Sequence, residues 1–225
     1  MRRLLSVLLL TVFSGASYAA DVSDLTNAQA TSGLKEALIV GAGKAINNLG
    51  SPDGFFGNPL VKIPLPDGMQ KAEKAMRMFG MGKQADDLVL KMNRAAELAV
   101  PEAKTLLVNA VKKMSVTDAK NILTGGEDAA TQYFKTATSG PMAEKFLPIV
   151  KKATENVELA QQYNKYAEMG SKYGMVKKEQ ANVEQYVTQK TLDGVYLMMA
   201  EEEKGIRRDP MGQASKLLKK VFGSL

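Results

Sequence analysis

The chain has 225 residues, of which 45% are apolar and 24% charged, proportions that are ordinary for a globular protein. Thirty basic and 24 acidic side chains give a formal net charge of +6. Histidine, cysteine and tryptophan are absent, which excludes a Ser-His-Asp triad, a cysteine nucleophile, a disulfide and a zinc site built from Cys and His. The sequence predicts no cofactor, and because the charge excess is modest it predicts no nucleic-acid partner.

Residues 1–19 have the pattern of a secretory signal peptide. Two arginines precede an apolar run from Leu4 to Phe13, and Ser17 and Ala19 place small residues at the −3 and −1 positions of a cleavage site. The apolar run is too short to span a bilayer, which takes about 20 residues. No cysteine follows the cleavage point, so a lipoprotein is not predicted.

These features predict a soluble protein of the bacterial periplasm, in which residues 20–225 form a single all-helical domain. The alternative is that the N-terminal segment stays attached as an anchor helix.

Apolar residues recur every three to four positions along most of the chain, which is the pattern of amphipathic helices. Strand signals are nearly absent. We expect an all-α fold of about eight to ten helices in one compact domain. The helices are predicted over 25–49, 67–79, 83–100, 101–114, 115–125, 127–138, from 141 onward, 158–173, 183–203 and 209–222.

Local signals support several of these boundaries. Ser115 to Asp118 has the spacing of a capping box, in which the two side chains bond to each other's backbone N–H. Pro141 is predicted to occupy the first position of a new helix, and Pro148 to kink that helix.

Residues 50–66 differ from the rest of the chain. They hold four of the eight prolines, so neither a helix nor a central strand is expected. The segment is nevertheless apolar, unlike a disordered linker. We expect an ordered Pro/Gly-rich loop that packs on the helices, with Phe55 and Phe56 as its anchors.

Seven strings spread over the chain resemble the bacterial exported family known as domain of unknown function 4197. They are GSPDGF at 50–55, NPLVKIPLP at 58–66, LKMNRAAE at 90–97, DAATQYF at 128–134, YVTQKTLDG at 186–194, EEEKGIR at 201–207 and LLKKVFG at 217–223. The resemblance implies a helical envelope protein and brings no activity with it. Many relatives carry a lipoprotein cysteine after the signal, and this chain departs from them in that respect.

The first candidate site is a polar cluster on helices that look buried. Residues 192–200 are apolar except at Asp193 and Gly194, so we expect Asp193 to be a core carboxylate that needs a partner. Arg94 could pair with it and hold two helices in register. Alternatively, Asn93, Arg94, Glu97 and Asp193 line a ligand pocket, or Glu97 and Asp193 act as an acid/base pair.

The second candidate is the Gly125-Gly126 turn before a helix N-terminus, where backbone N–H groups can bind an anion. No lysine follows, and Glu127 and Asp128 occupy the place of a phosphate, so a self-capped helix is the expected structure. Thr131 and Tyr133 remain candidates for lining a pocket.

Two further patterns have an ordinary and a functional interpretation. The thirteen methionines are expected to fill the core, although Met76, Met78 and Met81 lie close enough in sequence to suggest a Cu(I) site. The last predicted helix has an apolar face and three lysines. It is expected to dock on the core, or alternatively to lie on a membrane surface.

The leading functional hypothesis is a non-enzymatic periplasmic binding or interaction protein for an apolar small ligand, a partner protein or the membrane surface. The alternatives are a carboxylate-dependent hydrolase that uses Asp193 and Glu97, and a copper-binding protein with methionine ligands only.

Overall fold

In the computed structural model, which describes residues 27–80, 82–172, 180 and 182–209, the regular elements are all helices. The all-α prediction is confirmed. The predicted signal peptide and the predicted helix over 209–222 fall outside these residues, apart from Asp209, which caps the last described helix. The α-helices are α1 (Asn27–Leu49), α2 (Asp67–Met78), α3 (Gly82–Ala99), α4 (Ala103–Lys113), α5 (Val116–Thr124), α6 (Ala129–Thr154), α7 (Glu158–Lys172) and α8 (Val183–Arg208), with a 3₁₀ turn at Val100–Glu102 before α4.

The centre of the molecule is the antiparallel pair α6 and α8. Thr131 contacts Glu203 near one end of the pair, and Thr154 contacts Glu184 near the other. α3 packs on α6, while α1 packs on α8 and α4. The shared core therefore lies between α1, α3, α6 and α8, and α2, α5 and α7 cover its edges.

The predicted helix boundary at Pro141 is wrong, because α6 runs without a break through both Pro141 and Pro148. Each proline removes one backbone N–H donor, which leaves the carbonyl four residues earlier without its helical partner. Both prolines and the residues four positions before them are exposed, so the affected side of the helix faces water. The opposite side buries a stripe spaced by four residues, formed by Phe134, Thr138, Met142, Phe146, Val150 and Thr154. Burial of this stripe stabilises the helix despite the two lost hydrogen bonds.

The expected burial of Asp193 is also wrong. The buried face of α8 includes Val187, Thr191, Val195 and Met199. Asp193 lies on the opposite face, in an exposed row at four-residue spacing that also contains Gln185, Gln189, Leu197 and Glu201. Its carboxylate accepts a hydrogen bond from Gln189 Nε2 at 2.9 Å.

Residues 50–66 contain turns but no helix or strand. Phe55, Val61, Ile63 and Leu65 of this loop are buried, and Phe56 is half-buried. Among the described helices, none is both long and apolar enough to cross a membrane.

Candidate functional site

Asn93 fastens the 50–66 loop to α3. Its side chain is fully buried, and its Oδ1 accepts from the backbone N–H of Ile63 at 2.8 Å. Its Nδ2 donates to the carbonyls of Ile63 at 2.9 Å and Val89 at 2.7 Å. The described residues include no strand that could pair with the loop. The Asn93 amide therefore makes the hydrogen bonds to the Ile63 backbone that a neighbouring strand would otherwise make.

Glu97 and Arg94 hold the start of the same loop. Glu97 Oε1 accepts from the N–H groups of Phe55 and Phe56 at 3.0 and 3.1 Å, and Oε2 accepts from Arg94 Nη1 at 2.6 Å. Arg94 Nη2 also meets Asp53 Oδ1 at 2.7 Å, and these bonds, that to Glu97 first, raise the pKa of Arg94. Asp53 has a positive φ of 65°, so its carboxylate is presented to Arg94 from a tight turn.

The structure therefore brings three of the predicted site residues together but separates the fourth. Arg94 pairs with Glu97 and Asp53 rather than with Asp193, which lies on the outer face of α8. The carboxylate of Glu97 is buried and occupied by three donors. The two carboxylates of the hydrolase hypothesis thus lie in different environments, one buried and one exposed, and this arrangement does not support an acid/base pair.

Thr131 belongs to a second polar cluster, whose central residue, Glu203, the sequence analysis missed. Glu203 is buried and accepts from the N–H groups of Ala130 and Thr131 and from the Thr131 hydroxyl, at 2.9–3.0 Å. Arg207 binds Glu203 at 2.9 Å and the carbonyl of Ile122 at 2.8 Å.

The expected self-capped start of α6 is therefore wrong. Asp128 is the N-cap residue but makes no capping bond, and Glu203 from α8 satisfies the first-turn N–H groups instead. A signal was present in the sequence, because Glu203 follows Tyr196 and Met199 at the spacing of a buried helix face.

Tyr133 has a structural contact. Its hydroxyl donates to the carbonyl of Ala110 at 3.0 Å, which ties α6 to α4. Burial, and secondarily the charge of Asp118, raises the pKa of Tyr133.

Five of the described methionines fit the core-filling interpretation. Met69, Met92, Met114, Met142 and Met199 are all buried in the hydrophobic core. Met78 is exposed at the end of α2, and Met81 lies outside the described residues.

The described part of the chain has little enclosed space beside its polar clusters. The cavity next to Glu203 and Arg207 has a volume of about 30 Å³, enough for one or two waters. A larger space is an open cleft of about 670 Å³ between the 50–66 loop and helices α2 and α3. We call it the loop cleft. It is lined by Phe56, Pro59, Lys62, Pro64, Leu65, Gln70, Glu73, Arg77, Asp86 and Val89.

Charges of both signs lie around the loop cleft. The Lys62 ammonium is 4.2 Å from the centroid of the Phe56 ring. On the α2 and α3 side, Arg77 binds both Glu73 and Asp86, at 2.8 and 2.7 Å. The hydrogen bonds from Arg77 lower the pKa of Asp86. This trio carries one net negative charge, so the cleft has a cationic wall and an anionic wall with apolar surface between them.

Fold and site together define an all-helical protein with an open, amphipathic cleft beside a loop that is fastened by buried side chains. The chain matches the family described as a protein of unknown function (DUF4197) over residues 24–223, and it belongs to that family. Searches of curated proteins and of solved structures find no match.

Proposed function

We propose that this protein is an exported, non-enzymatic binding protein that holds an amphiphile with a zwitterionic head group in the loop cleft. The observation that carries the proposal is the cleft itself. It is within the size range of small-molecule sites, about 300–1,000 Å³, and it combines apolar lining with a few charged groups at defined positions.

The 50–66 loop forms one wall of the loop cleft, and this wall is suited to binding because it is ordered before a ligand arrives. Asn93 and Glu97 together make four hydrogen bonds to the backbone of Phe55, Phe56 and Ile63. A wall that is already ordered loses little conformational entropy on binding, so more of the contact energy contributes to affinity.

The charges favour a zwitterionic head group. Lys62 makes no ion pair with a carboxylate among the described residues, so it supplies a cation for a phosphate or carboxylate group. The Glu73–Arg77–Asp86 trio supplies the excess negative charge for an ammonium group. The apolar body of the ligand would lie against Phe56, Pro59, Pro64, Leu65 and Val89.

Two features support export and a lipid-like ligand. Residues 1–19 have the signal-peptide pattern, which would place the protein beside envelope lipids. Met78 and Phe79, which directly follow Arg77, are exposed and extend the apolar surface near that wall.

The test is binding of dodecylphosphocholine below its micelle concentration, measured by calorimetry on the mature protein. Lys62→Ala should weaken binding about tenfold, equivalent to about 1.4 kcal/mol, because the phosphate loses its cation. Lys190→Ala is the matched control, since Lys190 also lies over an aromatic ring, 5.9 Å from Tyr186, but does not line the cleft. A wild type that does not bind the probe, or equal affinities for the two variants, contradicts the proposal.

Native mass spectrometry of protein purified from the periplasm should show an adduct with the mass of a lipid.

A further inference from the structure

A second groove lies between α6 and α8, and it shares no lining residue with the loop cleft. We call it the α6–α8 groove. Its volume is about 370 Å³, at the lower end of the range for small-molecule sites. Three apolar and four polar side chains line it, namely Ala143, Leu147, Leu192, Glu144, Gln185, Thr188 and Gln189.

Thr188 is the unusual residue of this groove. It is 6% exposed, and its hydroxyl has no hydrogen-bond partner among the described residues. By contrast, the buried Thr138, Thr154 and Thr191 of the same two helices each donate to the carbonyl four residues earlier. Burying a hydroxyl without a partner lowers stability, so this feature needs an explanation.

A ligand in the groove would supply the missing partner of Thr188. The hydroxyl oxygen is itself buried, but the side chain lines the groove. Threonine in a helix has two accessible χ1 rotamers, so rotation about this bond can present the hydroxyl to a bound molecule.

The charge of the groove favours a cation. Glu144 is the one charged residue among those lining it, and this exposed carboxylate makes no ion pair with a described residue. Lys145 follows it directly, but consecutive residues of a helix do not face each other. Asp193 places a second carboxylate nearby, since it accepts from Gln189 Nε2 at 2.9 Å. The group that suits this surface is an ammonium.

The apolar lining defines the rest of the ligand. Leu147 on α6 is 39% exposed, and Leu192 on α8 is buried, so each helix offers an aliphatic surface to the groove. A matching ligand therefore carries an ammonium group for Glu144, a hydroxyl for Thr188 and a short aliphatic body.

We propose that the α6–α8 groove is a second binding site, which takes a small amino alcohol with an aliphatic side chain. The ammonium pairs with Glu144, the hydroxyl bonds to Thr188, and the aliphatic group packs on the two leucines. This site does not depend on ligand binding in the loop cleft.

The test is binding of leucinol, a small aliphatic amino alcohol, to the mature protein, measured by NMR titration. We expect saturable binding by the wild type. Thr188→Val, which keeps the shape of the side chain, should weaken it about fivefold, because one hydrogen bond is lost. Glu144→Gln should weaken it by a similar factor, because an exposed ion pair is lost. Isoamylamine, which lacks the hydroxyl, should bind the wild type and Thr188→Val equally.

Two residues of the same helices provide matched controls. Thr191→Val removes a buried hydroxyl that already donates to the carbonyl of Val187 at 2.7 Å, and Glu155→Gln neutralises an exposed carboxylate at the end of α6. Neither residue lines the groove, so both variants should keep the wild-type affinity for leucinol. A wild type that does not bind leucinol, or equal affinities for the groove and control variants, overturns the proposal.

A stability measurement gives a second readout. Without ligand, Thr188→Val should raise the urea midpoint, because it removes a buried hydroxyl that has no partner, whereas Thr191→Val should not raise it. Saturating leucinol should raise the midpoint of the wild type more than that of Thr188→Val. If Thr188→Val instead lowers the midpoint of the free protein, its hydroxyl has a partner within the protein, and the argument for a ligand fails.

Discussion

At the scale of single residues, Tyr186 connects the core helix α8 to the 50–66 loop. It is buried, and its hydroxyl donates to the carbonyl of Pro64 at 3.1 Å. Burial, followed by the nearby charge of Asp67 and by Tyr163, raises the pKa of Tyr186 from 10.0 to about 12. The neutral phenol is therefore favoured in the folded protein.

The raised pKa predicts a loss of stability at alkaline pH. The contribution of Tyr186 is fully present below pH 10 and is lost as the pH rises from 10 to about 12, because the unfolded chain releases the proton first. Tyr186→Phe should make the fall in unfolding free energy over this range shallower. Urea unfolding of both proteins at several pH values from 9 upward measures it, and parallel curves would contradict the assignment.

Single residues also show the limits of the sequence analysis. The sequence analysis proposed Asn93, Arg94 and Glu97 as polar partners of Asp193, and in the structure these three residues hold the 50–66 loop instead. Their partners could not be identified, since Glu97 binds Phe55 and Phe56, which precede it by more than 40 residues. Asp193 was misplaced because its neighbours are apolar. The exposed residues that recur every four positions from Gln189 to Glu201 were the better guide to the face of α8 on which Asp193 lies.

At the scale of elements, local signals were accurate where the decisive contacts are local. The capping box at Ser115 and Asp118 is present, with Ser115 Oγ accepting from Asp118 N–H and the carboxylate accepting from Ser115 N–H. The start of α6 was misjudged because its cap comes from another helix. The helix boundary predicted at Pro141 was wrong for a similar reason, because tertiary contacts decide it. Burial of the opposite face of α6 outweighs the hydrogen bond that the proline removes.

The contact between α8 and the loop depends on a glycine. A Cβ at Gly194 would lie 2.7 Å from Phe55 Cε1, so an added methyl would displace a fully buried ring. Gly194→Ala should therefore lower stability by about 1–3 kcal/mol.

The matched control is Gly205→Ala in the same helix, where a Cβ meets nothing within 4 Å. That change should be neutral or should stabilise by up to about 1 kcal/mol through helix propensity. Thermal unfolding of both variants measures the difference, and equal effects would mean that the ring of Phe55 can move aside.

At the scale of the whole molecule, Glu203 joins three helices. It binds the first turn of α6 and, through Arg207, the carbonyl of Ile122 in α5. Among the described residues, its neighbour Glu202 forms an ion pair with Lys44, which is largely exposed. The two adjacent glutamates therefore have very different environments.

Glu203→Ala should destabilise the protein by about 3–5 kcal/mol, because it removes the acceptor of the first-turn N–H groups of α6 and the carboxylate that pairs with Arg207. Glu202→Ala should cost less, about 1 kcal/mol, because its half-buried carboxylate pairs with a largely exposed lysine and solvent screens that pair. Chemical denaturation gives both values. Similar losses for the two variants would show that the Glu203 cluster contributes no more than the Lys44–Glu202 pair.

The amino-acid sequence by itself determined the helical class, most helix positions and the membership of a family, because periodicity and capping are local properties of consecutive residues. Only the tertiary structure decided which carboxylates are buried, which residues hold the 50–66 loop and where the clefts lie. These features depend on contacts such as that between Glu203 and Ala130, 73 residues apart, which form only when the helices pack together.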